Sequence, residues 1–245
     1  MDKVETVVGI LTRINDGESQ ARLREAAADF LSTVEPGDIV RAQQRMLEYG
    51  ADIREIARMC RSHIGLIGHP AEKLRLSLPP GHVLQRLLAE HQMVQCLLVD
   101  LTELNSAVSR LPYISATTPE YIKLLHIVSH LAAGEQHTQM EEKVIFPELE
   151  KLGMSVLPTI LTAEHFDMHY YTEQLQELTY KCCAVDFGEF KSGLDRVVLY
   201  LVPLKREHIF KEDNLLYPIA LGVINGDSAW NRLYTACEQI GYCCF

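Results

Sequence analysis

The chain has 245 residues, 47% of them hydrophobic, and a formal charge of -10. That length supplies one substantial core plus a smaller unit, and the acidic balance argues against nucleic acid as a partner, because neutralising phosphates takes clustered Lys and Arg. No run of roughly 18 uninterrupted apolar residues occurs, so no membrane span is predicted. The seven cysteines (Cys60, Cys96, Cys182, Cys183, Cys237, Cys243 and Cys244) form no Cys-x-x-Cys pair and are odd in number. They predict free thiols in a reducing compartment, the cytoplasm.

In chain order, residues 1–68 read as a small domain of short amphipathic helices. Turn signals separate them at Asn15-Asp16-Gly17, Glu35-Pro36-Gly37-Asp38 and Glu48-Tyr49-Gly50. Cys60 and His63, three apart, read as a buried helix pair in preference to a redox or metal pair. Residues 69–81 carry His69-Pro70, Lys73, Arg75 and Leu78-Pro79-Pro80-Gly81, and read as a linker. Four long helices follow, at 82–108, 119–150, 156–181 and 188–216, each with apolar residues recurring at three and four. His82 is a helix-start residue of the first. Thr118 before Pro119 marks the start of the second, with the Thr hydroxyl available as a cap. Pro203 is expected to kink or interrupt the fourth. Asp227-Ser228 opens a short last helix with Trp230, in a C-terminal extension over 221–245. Alternating β patterns are missing, so the fold class is all-α: a four-helix up-down-up-down bundle over 82–220, preceded by the small helical domain.

An internal repeat carries the chemistry. Ala89-Glu90-His91, with Leu101-x-Glu103-Leu104 beyond it, recurs as Ala163-Glu164-His165 with Leu175-x-Glu177-Leu178. His137-x-x-x-Glu141-Glu142 ending in Phe146-Pro147 recurs as His208-x-x-x-Glu212-Asp213 ending in Tyr217-Pro218. Each half is therefore a helical hairpin, and the two form a pseudo-symmetric bundle. Residues four apart on a helix are about 400° and about 6 Å apart, so each His-Glu pair shares a face. Two such pairs plus one histidine from each remaining helix give six donors, too many for one tetrahedral zinc and suited to two metals. Imidazole and carboxylate together fit iron, copper, nickel or zinc over magnesium or calcium. Glu-x-x-His, the signature of ferritin-like di-iron proteins, does not occur.

These motifs resemble the hemerythrin family, in particular the bacterial HHE cation-binding domains, over about 82–220. The resemblance implies a non-haem di-iron site at His91, His137, Glu141, His165, His208 and Glu212. Some hemerythrins place a further histidine one turn on, which makes His169 an additional candidate, and Asp213 stands at an alternative carboxylate offset. The implied role is binding or sensing of O2 or NO. The alternative is a redox enzyme or iron donor in nitrosative or oxidative stress, of the iron-sulfur repair type, which shares the symmetric four-His, two-Glu pattern. Leu11-x-x-Ile14-x-x-Gly17-Glu18, Cys60-Arg61-Ser62-His63, Leu78-Pro79-Pro80-Gly81-His82 and Ile240-Gly241-Tyr242-Cys243 resemble a helical domain of unknown function found ahead of such bundles. That unit is the expected docking point for a protein partner. Relatives often continue into a sensory PAS domain, which this sequence does not show. Around the site, Leu125, Val128, Leu161 and Val198 are expected to supply apolar surroundings. Glu90 and Glu164 are either acceptors for metal-bound imidazoles or solvated acids. His126 and His130 lie on the His137 face, as a path toward it or as a surface and a core histidine.

Overall fold

The computed structural model describes residues 2–68 and 70–242, which leaves Met1, His69, Cys243, Cys244 and Phe245 outside the described residues. Every regular element described is helical. The N-terminal unit comprises α1 (Lys3–Asn15), α2 (Gln20–Ala26), α3 (Ala28–Leu31), α4 (Pro36–Glu48) and α5 (Ile53–Ile64). Two of the expected turns end α1 and α4, at Gly17 and Gly50, with φ of 91° and 94°. Only glycine adopts such values without strain. The third turn signal instead starts a helix: Pro36 occupies the first position of α4, where its missing N–H is not needed.

Segment 69–81, expected as a linker, carries α6 (Pro70–Ser77) before its Pro-Pro-Gly turn. The long helices are α7 (Val83–Ser109), α8 (Pro119–Ala133), α11 (Val156–Tyr180) and α12 (Phe187–Lys211). The expected 119–150 helix is subdivided: α8 is followed by α9 (Glu135–Met140), a π-helical turn at Glu141–Ile145, and α10 (Phe146–Lys151). The fourth helix behaves likewise, with a π-turn at Glu212–Leu216 and α13 (Tyr217–Val223) beyond it. Contacts run α7 to α8, α8 to α11, α11 to α12 and α12 to α7, a closed ring of four. Pro203 does not interrupt α12, which continues through it on an exposed face. Thr118 sits at the start of α8, yet its hydroxyl accepts from the Ser115 amide at 2.9 Å and not from the helix. His82 does cap α7, accepting from the Leu84 amide at 3.2 Å, and its ring lies 4.4 Å from Trp230 on α14 (Asp227–Ile240).

Two apolar cores fill the molecule. One, at the far end of the bundle, includes Leu98, Leu124, Val128, Leu175, Phe190 and Val198. The other joins the near end of the bundle to the N-terminal unit: Leu11, Ile39 and Ile56 are in one cluster with Leu84, Ile145, Leu161, Leu216 and Ala220. Three helices of the ring carry a histidine between the two cores, as α7 does with His91 between Leu88 and Leu98, and on the α8 side that histidine is His137 of α9. The bundle is therefore sealed above and below a polar layer.

Cys60 and His63 are fully buried inside the N-terminal unit. Gln43 Nε2 donates to His63 Nδ1 at 3.0 Å, and His63 Nε2–H donates to Asn15 Oδ1 at 3.0 Å, so both ring nitrogens serve the fold. Burial pushes the Cys60 thiol up to about 11, which keeps it protonated. Burial also depresses His63 from 6.5 to about 4. A histidine held neutral contributes stability above its unfolded value and loses it as pH falls toward the folded one. The metal-free protein should therefore lose roughly 3 kcal/mol between those two pH values from this residue. His63→Asn should flatten that part of the Tm-against-pH curve; an unchanged slope would remove His63 as its cause.

Candidate metal centre

The polar layer brings His91 from α7, His137 from α9, His165 from α11 and His208 from α12 together with Glu141 and Glu212. All six are buried apart from His137, which is half-buried. The inward nitrogens and carboxylate oxygens lie close. His208 Nε2 is 2.5 Å and His91 Nε2 3.0 Å from Glu212, His165 Nε2 is 3.3 Å from Glu141, and His91 Nε2 is 3.0 Å from His137 Nε2. Two groups have spacing that can hold a metal ion: Glu141, His165, His208 and Glu212, and His91, His137 and Glu212.

The π-turns place the acids and aromatics. In each, the N–H after the turn, of Phe146 or Tyr217, donates to the carbonyl five residues back, of Glu141 or Glu212. Pro147 and Pro218 follow and have no N–H to offer a regular ladder. The wider turn lets residues five apart share a face, which an α-helix would separate by about 140°. The acid and the aromatic therefore both reach the centre.

Each imidazole has its outer nitrogen tied to a carboxylate. His91 Nδ1 meets Asp213 at 2.6 Å and His165 Nδ1 meets Glu142 at 2.8 Å. His137 Nδ1 meets Glu90 at 2.7 Å and His208 Nδ1 meets Glu164 at 2.9 Å. The Nδ1–H donors fix all four rings with Nε2 inward, the tautomer a metal ligand needs. Glu90 and Glu164 serve the histidine of the next helix, not the neighbour beside which they sit in sequence. Asp213 is thereby placed outside the centre, one oxygen on His91 and the other 2.8 Å from Arg75 of α6. Arg75–Asp213–His91 thus links the segment ahead of the bundle to the centre. Buried Lys211 pairs with Glu164 in the same outer layer. His169 does not join the cluster; its side chain is 54% exposed and flanked by Glu135 and Glu173, each 3.3 Å away. His126 is exposed and packs its ring against half-buried His130.

The residues fit a pair of cations. Glu141 Oε2, His165 Nε2 and both oxygens of Glu212 are buried with no hydrogen-bond partner, although such groups are normally satisfied. In the metal-free chain protons take up the role. Burial opposes the charged form of His91, but the hydrogen bond to Asp213 and the nearby negative charge of Glu212 outweigh it and push it up to about 9. The same opposition, overcome by Glu141 and Glu212, pushes His165 up to about 10. Glu212, despite burial, is held well below the carboxylate range by His208, His165 and His91. Cation binding would release these protons.

A cavity of about 50 Å³ abuts His91, His137, His208 and Glu212, with Val94, Leu131, Met168 and Ile209 as its apolar lining. Of the side chains expected around the site, Val128 and Val198 belong to the far core and Leu161 to the near one. A second cavity of about 190 Å³ shares Leu131, Thr138, Met168 and Lys205 with the first and reaches exposed His169. Among the described cysteines Cys60, Cys182 and Cys237 are buried, Cys96 and Cys183 exposed, and all are free thiols. No helix among the described residues is long and apolar enough to cross a membrane.

Sequence reasoning weighed Glu90 and Glu164 without settling them, and missed Glu142 in its pairing role, Lys211, Arg75 and Tyr217. The Tyr217 hydroxyl donates to Glu141 Oε1 at 2.7 Å. Burial, with Glu141 and Glu212 nearby, keeps this phenol protonated in the metal-free chain. The one signal for Tyr217 in the sequence is the contrast with Phe146 at the same point of the repeat.

Comparison with known families agrees with this layout. A family of unknown function (DUF438) matches residues 8–70, ahead of the centre. No curated protein matches the chain. The hemerythrin HHE cation binding domain matches residues 82–220, a span that contains all four inward imidazoles and both inward carboxylates, and with more than half its length in that match the chain belongs to the hemerythrin HHE family.

Proposed function

We propose that the centre holds two iron ions, with His91, His137, Glu141, His165, His208 and Glu212 as donors, and that it binds or senses O2 or NO. The carrying observation is the set of four buried donor atoms without hydrogen-bond partners on Glu141, His165 and Glu212. Ferrous iron would supply reversible coordination and electron density for a small diatomic ligand. The chain's own residues do the rest. Four outer acids hold the imidazoles in one tautomer, and Val94, Leu131, Met168 and Ile209 give the adjacent cavity an apolar wall alongside Thr138 and Lys205. Its volume is ample for a diatomic. Purified ferrous protein exposed to O2 or NO should gain a visible absorption band that degassing removes. Absence of any spectral change with both gases would overturn the reading.

The symmetric four-His, two-Glu donor set also favours a second reading, a redox enzyme or iron donor in nitrosative or oxidative stress. Consumption of NO or peroxide over many turnovers, or iron transfer to a damaged cluster protein, would select it over reversible binding.

The outer acids give a quantitative check. Removing such a partner typically weakens metal binding by about 10–100-fold. Glu90→Gln and Glu164→Gln, at equivalent points of the repeat, should each do so in a chelator-competition titration. Wild-type affinity in both would show that the imidazoles need no outer partner.

A further inference from the structure

Pseudo-symmetry makes one departure at the centre easy to see. Phe146 and Tyr217 occupy the same offset, five residues after Glu141 and Glu212 and immediately before a proline. Each ring stacks on an inward imidazole: Phe146 on His165, centroids 5.8 Å apart and planes 6° from parallel, and Tyr217 on His91, at 5.4 Å and 16°. The rings are equivalent and the hydroxyl is the difference.

That oxygen lies 3.2 Å from His137 Nε2 and 3.4 Å from His91 Nε2, while the two nitrogens are 3.0 Å from each other. Bonds of about 2.0–2.2 Å at angles between octahedral and tetrahedral set donor atoms about 2.8–3.6 Å apart. All three edges fall in that range, so one cation reaches all three atoms. A hydroxyl that only satisfied itself against Glu141 would not need to stand this close to either imidazole. The His165 and His208 side groups with both Glu141 and Glu212, whereas the His91 and His137 side groups with Glu212 alone, the Glu141 oxygen nearest it standing 3.7 Å from His137 Nε2 and accepting the Tyr217 hydroxyl. Tyr217 stands at the corner where that side lacks an oxygen.

We infer that Tyr217 is a metal-donor residue of the His91/His137 subsite, binding a ferric ion as phenolate and making the two subsites inequivalent. The inference rests on the two-iron reading. The step is an exchange without change of oxidation state: the phenol O–H bond breaks, its proton leaves to solvent, and an oxygen–iron bond forms. Phenolate is a hard anionic donor, so it favours the ferric over the ferrous ion at this subsite and not at the other.

The test uses the full chain, loaded with ferrous iron without oxygen, oxidised with ferricyanide and desalted. Iron per chain, the visible spectrum and resonance Raman are recorded. Wild type should show a phenolate-to-iron band with enhanced tyrosine ring vibrations that shift when ring-deuterated tyrosine is incorporated. Tyr217→Phe, which recreates the Phe146 stack, should keep two irons and lose the band. The exchange Phe146→Tyr with Tyr217→Phe should restore a phenolate band from the opposite subsite. Two irons without tyrosine vibrations in wild type, or a band that persists in Tyr217→Phe, overturns the inference and leaves the iron reading intact. Failure to bind iron at all overturns both. Should Tyr217→Phe not fold, the isotope shift in wild type decides for or against a tyrosine ligand, and Tyr217 is the only described tyrosine hydroxyl within hydrogen-bond distance of the cluster.

Discussion

Glu212→Ala is expected to cut the metal content of the loaded protein from two cations per chain to at most one, and to remove about 10 °C of metal-induced thermal stabilisation. Glu212 is the one residue shared by both donor groups. It is 1% exposed and lies against His208, His91 and His165, at 2.5, 3.0 and 3.7 Å. Without it the His91 and His137 side keeps no carboxylate of its own group, and two imidazoles beside the Tyr217 phenol make a poor site for a hard, doubly charged ion. Metal at a thousand times its Kd stabilises a folded protein by about 4 kcal/mol, and each kcal/mol moves Tm by about 2–4 °C at this chain size. The quantity to measure is the difference in Tm between loaded and chelated protein, because it cancels whatever the substitution does to the metal-free fold. Two cations retained per chain, with the wild-type increment in Tm, would sink the assignment of Glu212 as the shared donor.

The bundle was legible because apolar periodicity and the doubled His-x-x-x-Glu pattern report side-chain direction, which decides both burial and donor convergence. What escaped was geometry that leaves such patterns intact. A π-turn begins at Glu141 and another at Glu212, each after the His-x-x-x-Glu spacing is complete, so the motif reads the same with or without them. The prolines at 147 and 218 were visible, but read as register markers. Helix α6 was hidden by Pro70, a breaker inside a helix and harmless at its first position. Glu90 and Glu164 were weighed against the histidine beside each, about 100° away on the same helix, whereas their partners are His137 and His208 on the next helix. Asp213 had the composition of a ligand and the position of an outer acceptor, a distinction made by Arg75 from a segment more than a hundred residues earlier.

The second large effect concerns a residue that is not itself a donor. Ile39→Ala, in α4, should lower the Tm of the whole chain in a single transition and release metal in that same transition. The separate family matches at 8–70 and 82–220 imply two modules that melt independently. Packing implies otherwise. Ile39 is fully buried in a cluster that runs from Leu11 and Ile56 to Leu84, Ile145 and Leu216, and α4 touches α11, α13 and the π-turn that carries Glu212. Truncating a buried isoleucine to alanine costs about 2–5 kcal/mol, because the neighbours only partly close the cavity. At about 2–4 °C per kcal/mol this is a fall of roughly 4–20 °C. If the N-terminal unit merely sat beside the bundle, calorimetry would show two transitions, with the metal-linked one unmoved by the substitution. One transition, followed equally by heat, helix content and metal release, would mean that the unit ahead of the bundle supplies the floor on which the metal-binding layer rests.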